Sequence, residues 1–205
     1  MMTRALVANG AAKVYILGRR LEPLQDAAKE KPSVIIPIQC DVTSKESLQK
    51  TVDQITSETG FVNLAIANSG VLGPLNRWEP QLSLAEARKK MFDDLSMEDM
   101  THTLHVNTTA AFFTMTAFLE LLDAGNKNAL KGGFGKPITP GSDVPSVQSQ
   151  VIFTSSVGAF SRHAASTPAY SGSKAALAHL TKHSAANLAK YGIRVNALAP
   201  GCECL

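Results

Sequence analysis

The sequence predicts an α/β fold in which helices cover a parallel β-sheet, and three observations support this prediction. Short apolar runs alternate along the chain with segments of helical periodicity. These runs are almost continuously apolar, which is typical of strands that are buried on both faces. With 205 residues, of which 44% are hydrophobic and 18% charged, the chain has the size and composition of a single domain, residues 1–205.

The first third of the chain alternates between helical and strand patterns. Residues 1–10 are typical of the last turns of a helix that is closed by a glycine. The helical segment 19–30 has a proline in its first turn, and the segment 44–60 begins with Ser44 as its N-cap. The strands predicted between these helices are residues 14–18, 33–40 and 62–68.

The remainder of the chain continues the alternation after a polar region. That region, residues 73–101, contains a helical pattern at about 84–95, and a long apolar helix is predicted at 102–122. Residues 123–148 are rich in Gly, Pro, Ser and Asn, which predicts an extended, flexible surface loop. The last predicted elements are a strand, a helix and a strand, at 149–156, 168–190 and 193–200.

Composition argues against several classes of protein. A net charge of +3, without a basic cluster interleaved with aromatic residues, argues against nucleic-acid binding. The most apolar stretch, 110–122, is shorter than the roughly 20 residues that cross a bilayer, so no membrane association is predicted. No metal site is predicted. The cysteines Cys40, Cys202 and Cys204 are odd in number and follow no secretory signal, which predicts a reducing, cytoplasmic location.

The segment PAYSGSKAALAHL, residues 168–180, carries the most specific chemical signal. Tyr170 and Lys174 lie four residues apart on a predicted helix and therefore share a face. A lysine ammonium beside a tyrosine stabilises the phenolate and lowers the pKa of the phenol. Such a pair can supply a proton to a carbonyl oxygen or remove one from an alcohol. By itself the pair is also common on solvated helix faces.

Other polar residues lie where they could complete such a site. Ser155 and Ser156 lie at the end of the predicted strand 149–156, and a hydroxyl there can hold a substrate oxygen near the tyrosine. Asn107 lies in an apolar helix, where a buried amide needs hydrogen-bond partners. Each also has an ordinary structural explanation, as a turn serine or a satisfied core asparagine.

With these motifs the chain resembles the short-chain dehydrogenase/reductase family from residue 1 to about 201, and most nearly fungal reductases of the 3-oxoacyl and secondary-metabolism type. The resemblance implies a Rossmann-like, doubly wound parallel sheet. It also implies a small-molecule carbonyl or alcohol substrate. A homodimer or homotetramer is implied as well, formed through the helices 102–122 and 168–190.

The resemblance also implies a role for each residue. Tyr170 corresponds to the catalytic acid/base and Lys174 to the lysine that lowers its pKa and binds the cofactor ribose. Ser156 corresponds to the serine that orients the substrate, and Asn107 to the asparagine that holds a proton-relay water. In the family the serine lies slightly closer to the tyrosine than it does here. This favours Ser156 over Ser155 without excluding Ser155.

Further residues resemble the family's cofactor contacts. Asp41 and Val42 resemble the Asp-Val pair beside the adenine, and Asn68 and Gly70 resemble the turn after the fourth strand that lines the cofactor. The resemblance also assigns cofactor contacts to Tyr170 and Lys174, and to Pro200 and Gly201 at the end of the last predicted strand.

The residues after the first predicted strand, 14–18, indicate which cofactor is used. This strand corresponds to the second strand of the family. Enzymes that use NAD usually place an acidic residue there, which binds the ribose 2′-hydroxyl. This chain has Arg19 and Arg20 instead, and guanidinium groups suit a 2′-phosphate. We therefore expect NADP(H) to be preferred over NAD(H). Alternatively, these arginines only begin a solvated helix.

The family pattern extends beyond both ends of this sequence. In the family, a first strand and a Gly-rich phosphate loop precede the helix with which this chain begins, and a lid and a last strand follow Pro200 and Gly201. We therefore expect the sheet to lack its central first strand, which leaves two inner edges unpaired. Three hypotheses follow: an active oxidoreductase, a non-catalytic truncated chain that does not bind cofactor alone, or an oligomerisation partner of other subunits.

Overall fold

Parallel strands flanked by helices make up the part of the chain that the computed structural model describes, residues 1–164 and 166–201. Cys202 and Cys204, which were counted above, lie outside these residues. The strands are β1 (Val14–Gly18), β2 (Ile35–Gln39), β3 (Leu64–Ala67), β4 (Gln150–Thr154) and β5 (Arg194–Leu198). Every pairing is parallel, so the prediction of a parallel α/β fold is confirmed.

The strands form two sheets rather than one. β1 pairs with β2, and β4 lies between β3 and β5. Val151 at the centre of β4 is fully buried and lies opposite Ala65 on one side and Val195 on the other. Within the described residues β1 and β3 are not hydrogen-bonded to each other. The division falls between β1 and β3, in agreement with the two unpaired inner edges expected from the family pattern.

Local signals begin and end several of the helices. Ser44 accepts a hydrogen bond from Ser47 N at 3.1 Å, as its predicted role as N-cap requires, and Ser83 and Glu86 form a capping box. Gly10 follows the first helix with φ at +82°, a conformation that favours glycine. The α-helices are α1 (Met2–Ala8), α2 (Leu21–Ala28), α3 (Lys45–Glu58), α4 (Leu84–Arg88), α5 (Met97–Leu104), α6 (Ala110–Ala117), α7 (Leu119–Leu130) and α8 (Pro168–Leu188).

One hydrophobic core joins the two sheets. It includes Ile38 of β2, Ala67 of β3 and Phe153 of β4, together with Ile55 of α3 and Leu122 of α7. Phe153 and Leu122 are completely buried. The core therefore holds the two sheets together even where their backbones are not paired.

The apolar helix predicted at 102–122 is longer and less regular than its pattern indicates. It begins at Met97, passes through a π-helical turn at 105–109 and is interrupted at Phe118 before α7 continues to Leu130. The prediction of a loop from residue 123 is therefore wrong for residues 123–130. Asn126 explains the difference, because its amide donates to Gly192 O at 2.9 Å and accepts from Ser149 N at 2.7 Å. These tertiary bonds fix a segment whose composition favours a loop.

Among the described residues, none of the helices combines the length and the hydrophobicity that crossing a membrane requires.

Candidate active site

The polar residues singled out in the sequence follow the carboxyl ends of the strands. Arg19 and Arg20 follow β1, Asp41 and Val42 follow β2, and Asn68 and Gly70 follow β3. Ser155 and Ser156 directly follow β4, whereas Pro200 and Gly201 follow β5. Because all the strands are parallel, these residues lie along one edge of the two sheets. The candidate site is therefore this carboxyl edge.

The first turns of α8 bring Tyr170 and Lys174 to this edge. Lys174 is only 4% exposed, and its Nζ donates to Thr154 O, at the end of β4, at 2.7 Å. The same Nζ lies 5.8 Å from the centre of the Tyr170 ring. Burial lowers the pKa of the Lys174 ammonium from its ordinary value. The bond to Thr154 therefore holds a buried cation beside the tyrosine.

The two serines after β4 have different surroundings. Ser155 Oγ is buried and donates to Lys174 O at 3.0 Å, so it anchors the backbone of α8. Ser156 Oγ accepts from Gly158 N at 3.1 Å. A Cβ atom added to Gly158 would lie 3.3 Å from Ser156 Oγ and 3.5 Å from Tyr170 Cε1. Ser156 and Tyr170 therefore border the same space beside Gly158, which a larger residue would fill.

Asn107 connects the turn after β3 with α8. It is completely buried in the π-helical turn at 105–109, a type of turn that is frequent at functional sites. Its Oδ1 accepts from Val71 N at 2.7 Å and its Nδ2 donates to Val71 O at 2.9 Å. A Cβ atom on Gly70 would lie 3.0 Å from Asn107 Oδ1 and 3.5 Å from Lys174 Nζ. Gly70, Asn107 and Lys174 therefore border one small space.

The residues after β1 and β2 form the second half of the edge. Thr43 N and Oγ1 both donate to Asp41 Oδ1, at 2.9 Å and 2.6 Å. These bonds hold the pKa of Asp41 below its usual range, and the nearby side chains of Arg19 and His105 act in the same direction. Within the described part of the chain, Arg19 and Arg20 form no ion pair shorter than 4 Å.

Sequence reasoning did not identify Ser173, which contacts several members of the site. Its Oγ accepts from Asn107 Nδ2 at 2.9 Å and donates to Tyr170 O at 2.7 Å. The only signal in the sequence is its spacing, since it lies three residues after Tyr170 on the same helix. Serine is common on helices, so this spacing alone does not distinguish it from a surface residue.

No group of three or more His, Cys, Asp or Glu side chains lies close enough to hold a metal ion in the part of the chain that the structure describes.

Comparisons with known proteins show which family the chain resembles. The family model for short chain dehydrogenases matches residues 1–130 and 144–203. The short-chain dehydrogenase/reductase SAT3 of Stachybotrys chartarum is 64% identical over 200 residues, which cover 98% of this chain and 73% of that protein. PhomF of Diaporthe leptostromiformis, a short-chain dehydrogenase/reductase, is 46% identical over 204 residues. That match covers 98% of this chain and 64% of PhomF.

Solved structures show the same fold. The crystal structure of NAD⁺-bound xylitol dehydrogenase matches with a TM-score of 0.70 and 25% sequence identity, over 92% of this chain and 60% of that protein. The crystal structure of levodione reductase matches with the same TM-score at 20% identity, over 96% of this chain and 64% of that one. The chain therefore spans about two thirds of the length of the proteins that it matches.

Proposed function

Because the chain belongs to the short-chain dehydrogenase family, we propose that it is an NADP(H)-dependent oxidoreductase that interconverts a small-molecule carbonyl compound and the corresponding alcohol. One observation supports this proposal most strongly. Tyr170 and Lys174 of α8, Ser156 after β4 and Asn107 of the π-helical turn come from three parts of the chain, yet all four lie at the carboxyl edge. Lys174 Nζ lies 5.8 Å from the Tyr170 ring centre, Ser156 and Tyr170 border the space beside Gly158, and Asn107 is hydrogen-bonded to Ser173 on α8. The proposal includes a cytoplasmic location and a homodimer or homotetramer.

Each side chain would have a distinct role in the reduction of a carbonyl group. The Tyr170 hydroxyl would donate a proton to the carbonyl oxygen as the alcohol forms. The buried ammonium of Lys174 would stabilise the phenolate that remains, because a charge in a site shielded from water acts strongly on its neighbours. The Ser156 hydroxyl, beside the tyrosine ring, would hold the same oxygen. In the reverse direction Tyr170 would accept the proton.

Asn107 would act mainly by positioning the turn after β3. Its Oδ1 bonds to Val71 N, and both protons of its Nδ2 have acceptors in Val71 O and Ser173 Oγ. The side-chain amide donors are therefore fully used. The second lone pair of Oδ1 is the part of the side chain that could still accept from a proton-relay water, and that role stays a prediction from the resemblance.

The residues of the edge fit a dinucleotide. The space beside Gly70 would be filled by a Cβ atom, which would approach Asn107 Oδ1 and Lys174 Nζ. Asp41 presents an ionised carboxylate after β2, and Lys174 presents an ammonium that can donate to a ribose hydroxyl. The bound dinucleotide would supply the hydride to the carbonyl carbon, or accept it from the alcohol.

Arg19 and Arg20 favour NADP(H) within this proposal. Both are exposed, and neither is paired with a carboxylate within 4 Å in the described part of the chain. Two guanidinium groups that can donate hydrogen bonds to a 2′-phosphate would bind NADPH more tightly than NADH.

A thermal melt tests cofactor binding before any substrate is known. We expect NADPH to raise the melting temperature of the 205-residue chain more than NADH does, and Arg19→Ala and Arg20→Ala to reduce that difference. Equal shifts for the two cofactors, unchanged in both variants, would refute the NADP(H) preference.

Turnover tests the proposed acid/base. With a panel of ketones as probes, Tyr170→Phe should lower kcat by about 10²–10⁴-fold, because only the proton-donating hydroxyl is lost. Tyr191→Phe is the matched control, since Tyr191 is 57% exposed and lies after α8. An active Tyr170→Phe variant would exclude the assigned role.

The separation of the strands into two sheets favours a second candidate function. Because β1 and β3 are unpaired with each other, the chain would be non-catalytic by itself and would act as an oligomerisation partner that binds cofactor only with another subunit. In that case neither NADPH nor NADH raises the melting temperature of the isolated chain. A shift by NADPH alone favours the first candidate.

A further inference from the structure

Ser173 lies between Asn107 and the turn of α8 that carries Tyr170 and Lys174. It is completely buried on α8, one residue before Lys174 and three after Tyr170. Its hydroxyl lies between the amide of Asn107 and the backbone carbonyl of Tyr170. We propose that Ser173 is a positioning residue, which fixes the Asn107 amide relative to the turn of α8 that carries Tyr170 and Lys174.

The direction of each hydrogen bond supports this role. A serine hydroxyl has one proton, and that of Ser173 is donated to Tyr170 O at 2.7 Å. Towards Asn107 the hydroxyl can therefore only accept, which requires the Nδ2 end of the amide to face it. On the other side Val71 N requires Oδ1, at 2.7 Å. The two contacts together allow a single orientation of the Asn107 amide.

The backbone around Ser173 is held from two further sides. Thr108 Oγ1, from the π-helical turn, donates to Ser173 O at 2.9 Å. Ser155 Oγ donates to the next carbonyl, Lys174 O, at 3.0 Å. Two consecutive residues of α8 are thus anchored to two different elements. The Ser173 hydroxyl is the one contact of this group that joins the side chain of Asn107 to α8.

Loss of the Ser173 hydroxyl would affect the turn that contains Gly70, which borders the site. The amide of Asn107 holds Val71 by both its N–H and its carbonyl, so it fixes the turn next to Gly70. If Ser173 loses its hydroxyl, Asn107 keeps both bonds to Val71 but loses its bond to α8. The turn after β3 is then linked to the catalytic turn of α8 only through the backbone of the π-helical turn, which Thr108 still anchors to Ser173 O, so the position of the Asn107 amide relative to α8 is less closely fixed. The loss should lower kcat more than it changes KM.

Ser173→Ala tests the positioning role, and α8 offers a matched control. Ser184 is also buried on α8, at 3% exposure, but its Oγ has no hydrogen-bond partner among the described residues. Ser184→Ala therefore removes a hydroxyl group from the same helix without removing a hydrogen bond between described residues. In the full chain, we expect the side-chain amide signals of Asn107 to shift and to exchange faster in Ser173→Ala, and to stay unchanged in Ser184→Ala.

The amide measurement needs no turnover, so it separates this inference from the proposed function on which it rests. Unchanged Asn107 amide signals in Ser173→Ala would overturn the inference, whether or not the chain is active. If the signals shift while the wild-type chain reduces no ketone, the positioning contact stands and the proposed function fails.

Where the chain is active, a double-mutant cycle adds a kinetic test. We expect Ser173→Ala to lower kcat by about two- to tenfold, which corresponds to the net contribution of one neutral hydrogen bond. In an Asn107→Ala background the same change should have almost no further effect, because the residue through which Ser173 acts is gone. An equal fall of kcat in both backgrounds would refute the proposal that Ser173 acts through Asn107.

Discussion

Replacement of Gly73 by alanine should destabilise the segment that Asn107 holds against the site. Gly73 lies two residues after Val71, which is hydrogen-bonded to Asn107, and it has φ at +72°, in the left-handed region. A Cβ atom there would lie 2.1 Å from Thr103 Oγ1 and 2.9 Å from Thr103 Cγ2. Thr103 is completely buried on α5 and donates to Asp99 O, so it cannot move away freely.

The magnitude has two parts. The left-handed conformation costs a non-glycine residue about 1–2 kcal/mol. Overpacking against a buried side chain costs a further 1–3 kcal/mol, approximately. Gly73→Ala should therefore lower the free energy of unfolding by about 2–5 kcal/mol. Gly10 separates the two parts, because it has φ at +82° but no atom within 4 Å of an added Cβ. Gly10→Ala should cost only the first part.

Urea unfolding measures both variants, and fluorescence provides a local signal because Trp78, in the same segment, is the single tryptophan of the chain. Thr103→Ala removes the two atoms nearest to the added methyl group and keeps the third, the Cβ atom at 3.1 Å. The double variant should therefore recover about 1–3 kcal/mol relative to the sum of the single variants. Equal losses for Gly73→Ala and Gly10→Ala, or strict additivity with Thr103→Ala, would refute the reasoning.

Two further predictions concern helix glycines and the buried lysine. Gly172→Ala in α8, where no atom lies within 4 Å of an added Cβ, should stabilise the protein by about 0.5–1 kcal/mol in urea unfolding. Gly125→Ala in α7 should instead destabilise it by about 1–3 kcal/mol, because the added Cβ would lie 2.3 Å from Val62 O; stabilisation by both changes would contradict this reading. Burial lowers the pKa of Lys174, so the unfolded chain binds more protons than the folded one between that lowered value and about 10.4, and the free energy of unfolding rises with pH there. The rise has a slope of up to about 1.4 kcal/mol per pH unit, and Lys174→Met should remove it. Stability curves against pH that run parallel for the two proteins would contradict this prediction.

Local sequence signals predicted most of the elements because each of them has a short-range cause. The serine cap of α3 is confirmed by the bond from Ser47 N, and the parallel arrangement follows from strands that are apolar on both faces. The same kind of reasoning failed at 123–130, where Gly125 and Asn126 favour a loop. Both are helical because α7 packs closely against the chain at Val62 and Ser149. Composition does not report such long-range contacts.

The choice between Ser155 and Ser156 shows what the sequence could and could not decide at the site. Adjacent residues at a strand end point to opposite sides, so one of them faces the tyrosine and the other faces the interior. Spacing along the chain differs by only one residue between them. The structure separates their surroundings, since Ser155 is bonded to the backbone of α8 and Ser156 lies beside Gly158 and Tyr170. The assignment of Ser156 as the substrate-orienting residue is a proposal that Ser156→Ala can test together with Tyr170→Phe.

The positioning contact of Ser173 could not be predicted because its partners come from distant parts of the sequence. Asn107 lies 66 residues before it, on a π-helical turn at 105–109 from which its amide bonds to α8. That turn has no sequence signal of its own, since His105 to Thr109 continue an ordinary helical pattern. The proposed catalytic residues could be chosen from their chemistry, their spacing and the family resemblance. What holds them in place depends on an irregular backbone, where the hydroxyls of Thr108 and Ser173 both connect the π-helical turn with α8.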